Sequence, residues 1–174
     1  RSSARLSQSQ FLGPIVTGGV TKVEARRETQ PNGAETVIAR HDGYVRGFGV
    51  VHERDLSLNA LGTLLRGRDR VMTPDGGEPV GTAALQTEAR FHLHPAIKLR
   101  QHSANEVYMT APDGESWLFS CHDAPVSIEE DIFFADPSGV RKSQQLLIVF
   151  DACELSEIQW VLSRETLTGS LAGI

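Results

Sequence analysis

The stretch Arg90-Phe91-His92-Leu93-His94-Pro95 (RFHLHP) alternates polar and apolar residues one for one. In an extended strand successive side chains point to opposite faces, so Arg90, His92 and His94 share one face while Ala89, Phe91 and Leu93 share the other. One face suits a core and the other does not. The spacing predicts a strand lying on a core, not a helix.

The same period of two extends through most of the chain. Residues 20–28 and 34–41 alternate around Gln30-Pro31-Asn32-Gly33, whose residue types supply turn chemistry, and read as a hairpin. Residues 47–58 (GFGVVHERDLSL) place His52, Arg54, Leu56 and Leu58 on one face and Val51, Glu53, Asp55 and Ser57 on the other. Asn59 to Gly62 then turns the chain into LLRGRDRVM, and the Gly- and Pro-rich residues 73–83 form a loop before re-entry at about Glu88. After Pro95 come short segments at even intervals: IKLRQHS, NEVYMTA, SWLFSCH, VSIEEDIFF, QQLLIVFDAC and IQWVLSRE. No segment carries helical spacing. The expected fold is therefore all-β, an antiparallel two-sheet β-sandwich, with a lead-in over residues 1–19, the sandwich domain over 20–165 and a tail over 166–174.

A length of 174 residues suits one such domain. The net charge of −5 argues against a nucleic-acid partner, whose binding rests on neutralising phosphates with Lys and Arg. No apolar run approaches the about 20 residues of a membrane helix. The first residue is Arg1, not methionine, and the chain reads as a piece of something longer. Two cysteines, Cys121 and Cys153, are too few for a disulfide framework and read as free thiols in strands.

Four groups of residues could carry chemistry. His92 and His94, two apart on one strand face, have the geometry of two zinc ligands. A third would have to come from His41, His52, Asp69, His102 or His122, which no motif fixes, and the competing reading is a polar strand face. The segments RHDGY (40–44) and GVVHER (49–54) place His41, Tyr44, His52 and Arg54 where an imidazole and a phenol could move a proton while an arginine holds a carboxylate; Asp42-Gly43 equally reads as a turn. Arginines 40, 46, 54, 66, 68, 70 and 90 could serve an acidic sugar or an internal ion-pair network. Glu129-Glu130-Asp131, with Asp136 nearby, is a solvated acidic run or a calcium site. Serine-nucleophile elbows, phosphate-binding loops and Cys-x-x-Cys pairs are absent from the sequence.

Taken in order, RHDGY, GVVHERDLSL, LLRGRDRV, RFHLHP, Trp117 to Phe119, SIEEDIFF, QQLLIVF and IQWVLSRE resemble the C-terminal part of bacterial heparinase II/III-like proteins, over about residues 35–165. The resemblance implies a polysaccharide lyase in which a helical toroid precedes the β-sandwich. Such an enzyme cleaves uronic-acid-containing glycans by β-elimination. The catalytic His and Tyr of the toroid, and the His-rich motif early in the sandwich near the family's metal ligands, have no match here, so no catalytic residue is carried over. A metal ion such as zinc belongs to residues upstream of this segment, which carries no cofactor in this reading. The implied partners are an acidic polysaccharide and the helical toroid of the same parent chain. Arg90, His92, His94, His52 and Arg54 are the candidate glycan-binding residues. The alternative is a non-catalytic carbohydrate-binding or structural sandwich, although Trp117 and Trp160 sit in alternations that read as buried rather than as a sugar platform.

Overall fold

The computed structural model describes residues 3–81 and 83–165; the expected tail at 166–174 lies outside them. Thirteen strands and one helical turn follow one another among these residues: β1 (Arg5–Ser9), β2 (Gly13–Gly18), β3 (Val23–Thr29), β4 (Glu35–His41), α1 (Val45–Phe48), β5 (Val51–Leu58), β6 (Leu64–Met72), β7 (Gln86–His92), β8 (Lys98–Ser103), β9 (Glu106–Thr110), β10 (Ser116–Cys121), β11 (Val126–Phe133), β12 (Arg141–Asp151) and β13 (Glu157–Arg164). Every pairing is antiparallel. β1 and β2 form a separate ribbon within the lead-in. An eight-stranded sheet runs β3-β4-β5-β6-β13-β10-β9-β8, and a three-stranded sheet runs β11-β12-β7.

The expected hairpin is β3-β4, closed by Gly33 at φ 80°, a conformation that favours glycine. One expectation needs correction. Residues 47–50 do not begin a strand: Val45–Phe48 make one helical turn, ended by Gly49 at φ 72°. Strand β5 starts only at Val51. The period-of-two reading failed there because Gly47 and Gly49 alternate with larger residues without belonging to a pleat.

Alternation sorts each strand between core and surface. Leu146, Ile148 and Phe150 of β12 and Ala89 of β7 meet Val107, Phe119, Ile158 and Trp160 of the large sheet in one cluster of buried side chains. Phe91 ties the layers together, its ring 5.0 Å from Phe119 and 4.9 Å from Trp160. This sandwich buries the apolar face of RFHLHP. Its polar face is turned outward, where it crosses over β12, the middle strand, to reach β11. Arg90 donates from Nη1 to Glu129 Oε2 at 3.1 Å, His92 Nδ1 lies 2.6 Å from Asp131 Oδ2, and the His94 ring stands 5.0 Å edge-on to Phe133. Arg-x-His-x-His on one edge is matched by Glu-x-Asp-x-Phe on the other. Ser143, Gln145 and Leu147 of β12 are buried beneath this brace.

The outer face of the large sheet carries a second ion-pair ladder, in which Arg68 meets Asp55 and Arg70 meets Glu157 and Glu53. On its inner face, mid-strand Gly67 lies directly across from Trp160. A Cβ at Gly67 would come within 2.0 to 2.1 Å of the indole, so the ring packs flat where only glycine leaves room. Gly67→Ala should lower unfolding free energy by about 2 kcal/mol through overpacking and shift the tryptophan emission. Denaturant titration followed by fluorescence checks both; an unchanged midpoint would contradict the packing.

Candidate functional site: a groove beside strand β7

The eight-stranded sheet is wider than the three-stranded one, and beyond the free edge of β7 the inner face of β4, β5 and β6 is uncovered. An open groove of about 850 Å³ lies there, between His41, His52, Arg54 and Asp69 on one side and the β7 segment on the other. Four of the five candidate glycan-binding residues line it: His52, Arg54, Arg90 and His92. His94 does not; it sits past the end of β7 against Phe133 and accepts the Ala96 N–H at Nδ1.

The centre of the groove wall is Asp69, only 2% exposed. Strand β6 aims it inward because Leu65, Gly67, Asp69 and Val71 share the core-facing parity while Arg66, Arg68 and Arg70 point out. A buried carboxylate is costly unless its lone pairs are met. Here four donors meet them: His52 Nε2 at 2.8 Å and Arg54 Nε at 2.7 Å on Oδ1, with Arg54 Nη2 at 3.0 Å and Trp160 Nε1 at 2.9 Å on Oδ2. Burial, the largest single influence, opposes ionisation. The bonds from His52 and Arg54, the Arg54 charge and the Trp160 bond together outweigh it and hold the pKa at about 2. Arg54 is fixed from above as well, its guanidinium 5.3 Å from the Phe91 ring centre and 5.9 Å from that of Trp160.

The network continues across β5 to β4, where His41 and His52 are directly paired. His41 Nδ1 accepts the Gly43 N–H at 3.2 Å, and His41 Nε2 lies 3.4 Å from His52 Nδ1. The bonding pattern assigns both tautomers: His41 Nε2–H donates to His52 Nδ1, and His52 Nε2–H donates to Asp69. All four imidazole nitrogens are thereby engaged. Burial and then the neighbouring His52 lower the His41 pKa, partly offset by Asp42. Asp42 itself faces away, accepting from the Thr21 and Lys22 backbone N–H groups and the Thr21 hydroxyl, with its pKa held at about 2 chiefly by the Lys22 and Thr21 bonds. The Asp42-Gly43 turn and the His41-Tyr44 proximity thus coexist, with ring centres 5.4 Å apart.

This arrangement leaves one guanidinium edge open toward the groove. Arg54 uses Nε and Nη2 on Asp69, and its Nη1 makes no hydrogen bond among the described residues. Arg90 is held by Glu88 and Glu129. His41, His52 and Asp69 stand in a line rather than converge, and His92 and His94 turn to different partners. Among the described residues no three His, Cys, Asp or Glu side chains could hold a metal ion. The arginine cluster of the sequence serves largely as the internal ion-pair network, through Arg54, Arg68, Arg70 and Arg90. Asp69 was visible only as one loose ligand candidate; its place two residues after Gly67, in the parity of Leu65 and Val71, was the signal that marked it as buried.

Asp69→Asn should cost about 3 kcal/mol in urea titrations, because it strands a half-buried guanidinium without its counter-charge. Acidification should act in two steps. The folded pKa of His41 lies below its unfolded value, so its contribution is present above about pH 6.5 and declines as pH falls below that. Asp69 contributes about 2 kcal/mol that is full above about pH 4 and lost as pH falls through about 2. Asp69→Asn should shrink the second step, leaving the part that Asp42 contributes over the same range.

Comparison with known proteins agrees with this architecture. The family model described as "Heparinase II/III-like, C-terminal" matches residues 1–161. No curated protein matches the sequence. Among solved structures, the heparan sulfate lyase HepC from Pedobacter heparinus superposes with a TM-score of 0.62 at 14% identity, over 81% of this chain and 22% of that one. A crystal structure of heparinase III gives 0.60 at 12% identity, over 88% of this chain and 23% of that one. A further heparinase III gene product gives 0.59 at 12% identity, over 82% and 22%. The chain therefore spans between a fifth and a quarter of the length of these proteins, and at such identities the likeness is one of fold. No helix among the described residues is long and apolar enough to cross a membrane. The family match over residues 1–161, with the all-β sandwich that accompanies it, makes this chain a member of the heparinase II/III-like C-terminal domain family.

Proposed function

We propose that this chain is the C-terminal β-sandwich of a polysaccharide lyase that cleaves uronic-acid-containing glycans by β-elimination, and that it holds the acidic glycan without carrying the catalytic residues. The observation that supports a holding role is the state of the groove. β-Elimination requires a base with a free atom to remove the proton beside the sugar carboxylate and a group to neutralise that carboxylate. His41 and His52 have their ring nitrogens engaged and His92 at the rim is held through Nδ1 by Asp131, whereas Arg54 offers a free guanidinium edge in a fixed orientation. Bidentate geometry and permanent charge suit that edge to a carboxylate or sulfate. His52 and Arg90 shape the walls, His92 lies at the rim, and His94 belongs to the brace. The base, the acid and any zinc ion are contributed in this reading by a helical toroid and the early sandwich of the parent, for which the groove forms one wall of the cleft.

A longer parent protein should raise ultraviolet absorbance from unsaturated product on a uronic-acid polymer, and this chain alone should not. Turnover by the chain alone would show that the catalytic groups lie within it. Arg54→Gln in the parent should raise KM more than about fivefold, since it removes binding shared by substrate and transition state; a fall confined to kcat would assign Arg54 to chemistry instead.

A further inference from the structure

The opposite edge of the eight-stranded sheet bears a second concentration of positive charge. Strand β8 presents Lys98, Arg100 and His102 to solvent. Arg100 and Tyr108 of β9 are directly paired, and the guanidinium lies 4.6 Å from the ring centre. His102 stands edge-on to the same ring at 5.0 Å. Neither Lys98 nor Arg100 has a carboxylate within ion-pair distance among the described residues, and only His102 has one, Glu106 at 3.8 Å.

Cations on an edge strand ordinarily guard it against pairing with another chain. The other edge of this sheet shows what such guarding looks like here. Around β3, Lys22 pairs with Glu24, Arg26 with Glu28 and Arg27 with Glu35, so the charges cancel locally. The groove and the outer ladder cancel in the same way. Lys98 and Arg100 depart from that rule, and the stacking on Tyr108 fixes the Arg100 guanidinium while its five N–H donors stay available. A fixed, unneutralised fork of donors beside a mobile ammonium, on a flat strand face, is a receptor for closely spaced anionic groups.

We propose that Lys98, Arg100, His102 and Tyr108 form a second binding site for an acidic polysaccharide, outside the groove. The choice of glycan rests on the function proposed above. It is preferred over a nucleic acid because Arg100 and His102 occupy the Tyr108 ring, leaving no bare platform for a base. Five strand positions separate β8 from β5, about 24 Å across the sheet, so the two sites can be altered independently.

The test measures binding of a sulfated, uronic-acid-containing polysaccharide to this chain by calorimetry at several salt concentrations, with Lys98→Gln/Arg100→Gln, Arg54→Gln, a neutral dextran and a single-stranded oligonucleotide. Unfolding midpoints confirm that each variant is folded. The β8 double variant should bind about tenfold more weakly, and its dependence of log Kd on log salt should be shallower by about one to two. Unchanged affinity in the β8 variant, with loss in Arg54→Gln, overturns this site and leaves the groove standing. Loss in the β8 variant alone supports this site and counts against the groove. Equal affinity for dextran, or tighter binding of the oligonucleotide, overturns the assignment to an acidic polysaccharide.

Discussion

A carboxylate with almost no contact with water has to be satisfied from within, and Asp69 imposes that requirement on four strands at once. Its donors come from β5 and β13, which flank β6, and His52 passes the demand on to His41 in β4. Trp160 can reach it only because Gly67 offers no side chain, and Arg54 can reach it only by lying along the aromatic core. Register between β4, β5, β6 and β13 is thus specified by hydrogen bonds as well as by apolar parity. A one-residue slip would turn Asp69 outward and leave Arg54 and the indole N–H without a partner.

The strands were largely legible because alternation is strict wherever one face meets the core, as in RFHLHP and GVVHERDLSL. Topology was not, since nothing in IQWVLSRE states that β13 inserts between β6 and β10 instead of joining its neighbour in sequence. The polar face of RFHLHP was legible as a face, but its partners lie 39 residues away in SIEEDIFF, a distance that pattern reading does not bridge. The acidic run was read as solvated or as calcium-binding; two of its members, Glu129 and Asp131, instead answer Arg90 and His92. His41 and His52 were grouped with Tyr44 and Arg54 as a candidate proton-transfer set, and Asp69 only as a loose ligand candidate. Only the pairing of β4 with β5 and of β5 with β6 makes His41, His52 and Asp69 one network.

Charge distribution separates the two surfaces that could meet an acidic glycan. In the groove each cation has a partner that holds it still, which leaves one guanidinium edge in one orientation beside the bonded rings of His41 and His52. On β8 the cations are not neutralised, so attraction there is longer-ranged and more sensitive to salt. Under the function proposed above, the groove would orient the sugar being handled and β8 would retain the remainder of the polysaccharide.

The brace from β7 to β11 also bears on how the molecule is made. Arg90 and Glu129 face each other across a strand that is synthesised after both, and β6 and β10 likewise await β13 between them. Until the last two strands emerge, neither sheet has its middle. A ribosome-bound chain ending before Arg141 would hold two unfinished half-sheets with apolar faces open to solvent. Strands β12 and β13 supply the missing middle of both layers, so the two layers are completed together.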